Sequence, residues 1–348
     1  MDNIQTLDQA QHADFIWTWK SNGRNDKASI WVPYMGSIEK RPRSKHWILV
    51  YNGGKLELDL EKIDFIMFYG ACGDLPLEFL DAVSQHGVVL MIHRRNQIHP
   101  FVFFPSNSSD AKDLLSSQIL VRSHAQKAAY VAKVLIRERF QKFRETIPIA
   151  SSTMKGLAAA KTVTAVRALE ANTTARYWER WFDVLGVEPK RRTDGPAQAA
   201  LDAGSKFLFG VLLRWILFHK LSPCHGFLHE PTGYPSLVYD LMEPYRYIIE
   251  QSVQAAWQGV PDENRDEKTL VAATLADMKR RLDEVVYVPA TRQYVRRKNL
   301  LHGVVLALRA YLLNESMRLV VPVEGAKKGG RPPKIGYRLP GETKEKRG

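Results

Sequence analysis

The stretch "PFVFFPSNSSDAKDLLSSQILVR", residues 100–122, is where the chain changes its period. "PFVFFP" is a short aromatic run of strand type, "PSNSSD" at 105–110 is a linker and a helix start, and the residues after it repeat at helical spacing. Everything before this point resembles the first part of it. "ASIWVPY", "HWILVYNGG", "KLELDL", "IDFIMFYG" and "HGVVLMIH" are short, β-branched and aromatic, and separated by Gly, Asn, Pro or charge. "NGG" at 52–54 signals a hairpin. "PLEFLDAVSQHG" at 76–87 has helical apolar spacing and stops at Gly87. Everything after the linker is helical in period, over 111–146, 153–186, 196–219, 236–258, 266–284 and 299–318, with loops at 188–196 and 258–266. The expected fold class is therefore α+β: an N-terminal β-rich domain, 1–110, followed by a larger all-α domain, 111–322. The Gly/Pro/Lys-rich segment 323–348, with eight basic and three acidic residues, is expected to be a disordered tail. No repeat of 20–50 residues is present.

Composition narrows the class. The chain has 348 residues, 45% of them hydrophobic, enough for two ordinary domains with real cores. Its two cysteines, Cys72 and Cys224, form no disulfide framework and suit a reducing cytoplasm. The N-terminus carries Asp2, Asp8 and Asp14 and no secretory signal pattern. The most apolar run, "FLFGVLLRWILF" at 207–218, is too short to span a bilayer and contains Arg214, so no membrane association is expected.

Charge is divided unevenly. Residues 1–110 hold 11 Lys+Arg and 13 Asp+Glu, a net of −2; the remaining 39 basic and 24 acidic residues leave +15 after the linker. A polyanion is the natural partner of such a half, with nucleic acid ahead of membrane. The 111–146 pattern alone carries Arg122, Lys127, Lys133, Arg137, Arg139, Lys142 and Arg144. A solvated basic face would give the same pattern.

The chemistry concentrates in "GFLHEPTGYPSLVYDLMEPYR", residues 226–246. Charges set among Phe227, Leu228, Leu237, Val238 and Leu241 need partners or a metal ion. Asp240 and Glu243 are three apart and share a helical face that Arg246 extends. Two acids on a face bordering the core call for a cation, either Arg246 in a structural ion pair or a divalent metal. His229 lies eleven residues before Asp240, across a proline-containing loop. A zinc site from Cys224, His225 and His229 lacks the paired spacing of a zinc module. Glu170, in "AVRALEANTTARYWERWF", sits near Val166, Leu169 and Tyr177; an exposed helical glutamate fits its spacing equally well.

On these residues the sequence resembles the CRISPR-associated integrase, the metal-dependent endonuclease of the spacer-acquisition machinery. The 226–246 block is similar to that family's GFLH segment followed by SL-x-x-DLMEP-[FY]-R, and "ALEANTTARYW" to its E-x-x-x-A-x-x-YW helix. The N-terminal strands "WILVYNGGKLELDLEKIDFIMFYG" and "SQHGVVLMIHRR" resemble its β domain, so the likeness runs from about 29 to 320. The resemblance implies catalytic metal ligands Glu170, His229 and Glu243, with Asp240 beside them as a further ligand or behind them holding one in place, and Mg²⁺ or Mn²⁺ as the ion. It implies that Arg246 faces DNA, and Arg176, Tyr177, Arg137 and Lys142 are the further DNA-binding candidates. It implies a homodimer formed through residues 1–110, a catalytic role for 111–322, double-stranded and branched DNA as substrate, and a small ferredoxin-like CRISPR adaptation protein as partner. The chain departs from the family's "LN-x-x-Y" helix, reading Leu201, Asp202, Ala203, Gly204, Ser205, which bears on substrate positioning and touches none of the implied ligands.

The implied reaction is transesterification, a DNA 3′-hydroxyl attacking a repeat phosphate so that a captured fragment enters a CRISPR array. Water in its place would nick DNA. Two alternatives stand beside it. A stand-alone mobile-element integrase of the same fold would be expected to add a C-terminal DNA-binding domain, whereas about 28 residues follow the last predicted helix. A non-catalytic nucleic-acid scaffold would be expected to have lost part of the Glu170, His229, Glu243 set.

Overall fold

The computed structural model describes residues 4–10, 17–20, 27–71, 73–94, 100–103, 114–187, 195–327 and 334–343. The predicted linker at 105–110 and most of the loop at 188–196 lie outside the described residues. The chain divides into two compact units, Met1–Asp110 and Ala111–Gly348.

The first unit is built on two sheets. One has the order β1 (Ile4–Gln5), β6 (Gly54–Leu58), β5 (Trp47–Tyr51), β4 (Met35–Lys40). The other runs β2 (Trp17–Lys20), β3 (Ala28–Pro33), β7 (Ile63–Tyr69), β8 (Val89–His93), β9 (Phe101–Phe103). Strands β3, β7 and β8 pair in parallel, and β2 and β9 close the sheet antiparallel. All six residues of β3 are buried, the pattern of a parallel strand covered on both faces. The "NGG" signal is the tight turn between β5 and β6, where Tyr51 pairs with Gly54 and Gly54 takes φ +138°. Helix α1 (Leu7–Ala10) and helix α2 (Leu77–Gln85) complete the unit, and Phe79 of α2 is wholly buried in the core with Val32, Leu49, Leu56, Ile66 and Phe68. The sequence does not foretell β4. "MGSIEK" carries one β-branched residue; the chain bends at Tyr34, at φ +53°, between β3 of one sheet and β4 of the other, and β4 is held as a strand by its antiparallel pairing with β5.

The second unit is helical with one added hairpin. Helices α3 (Leu114–Ser123) and α4 (Ala125–Phe143) replace the single segment predicted over 111–146. Helices α5 (Ser151–Ala159) and α6 (Val163–Leu185) replace 153–186; the break is set by Thr162, whose Oγ1 accepts from the Ala165 N–H at 3.2 Å and starts α6. Gly186, at φ +67°, ends it. Helix α7 (Pro196–Phe218) is the apolar run of the sequence and is buried along most of its length. The predicted helix 236–258 is divided at Pro244, which has no N–H to give, into α8 (Ser236–Met242), a 3₁₀ turn at Glu243–Tyr245, and α9 (Arg246–Gly259). Helix α10 (Glu267–Asp283) begins at Asp266, whose carboxylate accepts from Thr269 N–H at 2.9 Å. The antiparallel strands β10 (Val285–Val288) and β11 (Gln293–Arg296) follow, and α11 (Lys298–Leu312) is the last helix. Helices α8, α9, α10 and α11 surround α7, and α4 lies against α6 and the Glu243–Tyr245 turn.

The expectation of a disordered tail over 323–348 is corrected for its described parts. Glu324 accepts from the Tyr247 hydroxyl at 2.8 Å and from Arg297 Nε at 2.9 Å. Leu339 is 3% exposed, and its backbone exchanges two bonds with the Gln293 amide at 3.0 and 2.9 Å. Composition hides this, because only Ile335, Tyr337 and Leu339 anchor an otherwise polar stretch. Leu339→Ala is expected to lower the stability of the helical unit by about 3 kcal/mol in urea denaturation; a free tail would give no change.

Candidate active site

The site is assembled from α3, α4, α6, the 222–235 loop and the α8–α9 turn. The loop comes first, because it carries His229. Gln118 of α3 is fully buried and clasps it, donating to the carbonyls of Ser222 and His225 at 2.9 and 2.8 Å and accepting from Ser222 N–H at 2.9 Å. Arg122 donates to the carbonyls of Gly226, at 2.8 Å, and Glu230. Ser236 accepts from Gly226 N–H at 3.0 Å and donates to the Cys224 carbonyl at 3.1 Å. Gly226 is required here: a Cβ would come within 2.8 Å of Asp240 Oδ2 and of the His229 carbonyl oxygen.

Asp240 is the hub of the loop and has no solvent exposure. Its Oδ2 accepts from Phe227 and Leu228 N–H at 2.5 and 2.8 Å; its Oδ1 accepts from His229 N–H at 3.1 Å and meets His229 Nδ1 at 2.7 Å. With Nδ1 committed to Asp240, Nε2 is the ring nitrogen left for other work. Burial alone would lower the imidazole pKa, but the hydrogen bond to Asp240 and the charges of Asp240 and Glu243 outweigh it and raise it. The sign follows. This ion pair stabilises the fold below the ordinary imidazole range, and the contribution is lost as pH rises through the raised value.

Glu170 and Glu243 converge on one cation, Arg139 of α4. Arg139 Nη1 lies 3.4 Å from Glu170 Oε1 and donates to Glu243 Oε2. Glu243 Oε1 accepts from Arg246 Nε at 3.0 Å, and Glu170 Oε1 from the Thr174 hydroxyl at 2.8 Å. Arg139 and Glu243 are buried, and Glu170 is 22% exposed along its side chain. Burial works against ionisation of Glu243, yet the charges of Arg139, Arg246 and His229 hold its carboxyl below the usual carboxylate range. Burial likewise opposes the charge on Arg139, and Glu243, Glu250 and Glu170 more than restore it. Glu250 is the exception: burial raises its carboxyl, offset only in part by Arg139 and by the Tyr177 hydroxyl, which donates to Oε2 at 2.7 Å.

The donor set fits a hard divalent cation by its chemistry. Two carboxylates point at one positive charge, and a carboxylate-bound histidine presents Nε2, the arrangement that orients metal-bound imidazoles. In this structure that positive charge is Arg139, and among the described residues no group of three or more His, Cys, Asp or Glu side chains closes around one point. His225 is held by the Ser222 hydroxyl at 2.7 Å, away from any zinc grouping.

The other sequence candidates fall in different places. Arg246 is half-buried against Glu243, and Arg176 is exposed on α6. Tyr177 is corrected: it is 4% exposed, stacked on Phe143 with ring centroids 3.9 Å apart and bonded to Glu250, so it is a core residue with no face for DNA. Arg137 is exposed and pairs with Glu138, while Lys142 is shared between Glu145 and Glu324 at 3.3 and 3.4 Å and lies over Tyr247. Arg139 is the residue of this cluster that sequence reasoning missed, counting it among the seven basic residues of a helix expected to hold DNA phosphates or, failing that, to be a solvated face. Its spacing held the signal, since it lies three after Ile136 and four before Phe143, both buried, which puts it on the apolar stripe.

The sequence profile of CRISPR associated protein Cas1 matches residues 40–281, and the chain belongs to that family. It is 25% identical over 249 residues to the CRISPR-associated endonuclease Cas1 2 of Pyrobaculum aerophilum, covering 66% of this chain and 84% of that protein. Its fold is similar to that of a casposase bound to integration product, with a TM-score of 0.69, 19% identity, and 83% of this chain and 91% of the other covered. It is also similar to a Cas1 protein of Thermotoga maritima, with a TM-score of 0.67, 17% identity, and coverages of 85% and 99%. The sequence-based α+β class, β-rich then helical, agrees with that fold.

Asp240→Ala is expected to lower stability by about 3 kcal/mol or more, because three backbone N–H groups and an imidazole lose their acceptor at once. His229→Ala, which strands none of those amides, is expected to cost about 1 kcal/mol. Urea denaturation of the two variants checks the ordering; equal stabilities would contradict it.

Proposed function

We propose that the protein is a metal-dependent DNA endonuclease and integrase that joins captured fragments to a CRISPR array by transesterification. The observation that carries this is the meeting of Glu170 and Glu243 at one buried cation beside a histidine oriented by Asp240. Family membership supports the nuclease and integrase class. Glu170, His229 Nε2 and Glu243 would hold Mg²⁺ or Mn²⁺, which supplies a lowered pKa for an attacking hydroxyl and a counter-charge for the phosphate. Asp240 holds the ring and fixes which nitrogen carries the proton. Gln118 and Arg122 keep the loop in place through its carbonyls. Arg139 balances the carboxylates, and Arg246, paired with Glu243 and partly open, is placed to take a phosphate oxygen. The +15 excess of residues 111–348 supplies sequence-independent attraction to DNA. Dimerisation through residues 1–110, a small ferredoxin-like adaptation protein as partner and a cytoplasmic setting belong to the same proposal. No helix among the described residues is long and apolar enough to cross a membrane.

The mobile-element reading is favoured by the casposase fold likeness, and the array reading by the endonuclease relative, of which this chain covers most. Supplying repeat-bearing array DNA and transposon-end DNA to the protein together decides between them: the array is expected to be the target joined.

Glu170→Ala, His229→Ala and Glu243→Ala are each expected to abolish metal-dependent nicking and joining of forked DNA; full activity of His229→Ala with Mg²⁺ would overturn the ligand assignment. Since a cation takes the neutral ring and the imidazole pKa is raised, Mn²⁺ affinity is expected to climb with pH through a midpoint above the ordinary value of about 6.5. Calorimetric titration across pH measures it, and a pH-independent affinity would contradict it. Arg176→Ala is expected to weaken DNA binding and reduce the log–log salt slope by about one, while Lys142→Ala, whose ammonium is already paired, leaves the slope unchanged in equilibrium binding.

A further inference from the structure

Two buried atoms beside the carboxylate cluster stand bare. Arg139 is 5% exposed and gives Nη1 to Glu243 and, at 3.4 Å, to Glu170, while its Nε finds no hydrogen-bond partner among the described residues. Glu250 is 3% exposed and takes the Tyr177 hydroxyl on Oε2 at 2.7 Å, while its Oε1 likewise finds none. The first orphan is a donor on a cation, the second an acceptor on a carboxyl group. A buried polar atom left bare costs free energy, and these two would satisfy each other. Neither reaches solvent, so a partner for either has to come from inside the protein.

The two residues are neighbours. Burial works against the charge on Arg139; Glu243 and then Glu250 do most to restore it, ahead of Glu170. Burial likewise raises the Glu250 carboxyl, and Arg139 is the foremost charge opposing the rise. One aromatic platform runs beneath both. The Arg139 guanidinium lies over Phe143, 5.0 Å from the ring centroid; Phe143 stacks on Tyr177 with centroids 3.9 Å apart; and Tyr177 holds Glu250. A cation keeps its attraction to such a surface as it shifts across it. The guanidinium donors form a fixed planar fork, and with Nη1 committed to Glu243 the Nε edge meets no acceptor.

A divalent ion on Glu170 and Glu243 cannot share its position with a guanidinium, since like charges repel most strongly where water is excluded. Arg246 has an exit, its side chain being 23% exposed. Arg139, 6% exposed along its side chain, has no water to turn to, and the bare acceptor near it is Glu250 Oε1. We propose that Arg139 has two seats, one between Glu170 and Glu243, as in this structure, and a second on Glu250 Oε1, to which its Nε turns when a divalent ion displaces it. This rests on the preceding reading of Glu170 and Glu243 as ligands of that ion. Glu250 is then a positioning residue: it touches neither ion nor DNA, and it tunes ion affinity by receiving the displaced charge. The buried carboxylates are never left without a cation, and neither is the cation left without a carboxylate.

The test uses the full chain with isotope-labelled arginine, observed in proton–nitrogen correlation spectra. The Arg139 Nε–H resonance is assigned by its loss in Arg139→Lys, and Mg²⁺ binding is followed in parallel by calorimetry. Saturating Mg²⁺ is expected to move that resonance downfield, as a bare N–H gains a charged acceptor, and to move it less in Glu250→Gln. That variant is close in shape and keeps an acceptor without its charge. Mg²⁺ is expected to bind it about tenfold more weakly than the native chain, the difference between a charge-assisted and a neutral hydrogen bond. A purely structural Glu250 would change the melting temperature and leave Mg²⁺ affinity alone. Saturable Mg²⁺ binding with an unmoved Arg139 Nε–H, or with equal affinities in the native chain and Glu250→Gln, would overturn the second seat while leaving the metal site standing. The absence of saturable Mg²⁺ binding by the native chain would overturn both.

Discussion

The arrangement depends on one buried cation. Arg139, 5% exposed, is the point at which α4, α6 and the α8–α9 turn are tied together through Glu170 and Glu243. A buried guanidinium is tolerable only with charged partners, and a buried carboxylate such as Glu243, 3% exposed, only with a cation. Each makes the other possible. The account is not balanced, however. Glu170, Glu243 and Glu250 face Arg139 and Arg246, and burial holds the Glu250 carboxyl above its ordinary range as though the surplus negative charge were partly refused. A site short of positive charge and open at Glu170 is the electrostatic ground for the divalent ion proposed there.

The second constraint is geometric. Asp240 uses both oxygens on the 227–229 segment, so the loop, the imidazole orientation and the start of α8 form one locked piece. Gly226 permits the close approach, and Gln118 and Arg122 pin the outside. Glu243 stands on a rigid turn because Pro244 interrupts the helix at that residue. The proposed ligands therefore stand on regular elements and one tightly bonded loop, which keep them in place at the cost of burying polar atoms.

Much of this was legible in the sequence. The change of period after residue 105 gave the α+β class, and strands such as "IDFIMFYG" or the helix 196–219 needed only pattern. The resemblance of the 226–246 block pointed to His229 and Glu243 and that of "ALEANTTARYW" to Glu170, and in the structure Glu170 and Glu243 meet at one cation, with the charge of Glu243 acting on His229. What stayed hidden was tertiary. Nothing local distinguishes Arg139 from Arg137 except its position on the apolar stripe, and nothing local says that Tyr177 turns inward to Glu250 while Arg176 turns outward. The β10–β11 hairpin and the packed part of the 323–348 segment depend on Gln293 meeting Leu339, 46 residues away, which no window of sequence reveals. Helix breaks at Thr162 and Pro244 were signalled by a cap residue and a proline, but lay within longer runs of helical period.

The claim at the centre is that Glu170, His229 and Glu243 share one divalent ion. Crystals of the full chain soaked in Mn²⁺, with anomalous diffraction collected for manganese, test it most directly. A single anomalous peak within coordination distance of His229 Nε2 and of carboxylate oxygens from both Glu170 and Glu243, with Arg139 drawn back from at least one of them, is the expected result. A manganese-free site with Arg139 still seated between Glu170 and Glu243 at saturating Mn²⁺, or a peak bound elsewhere on the protein, would contradict it.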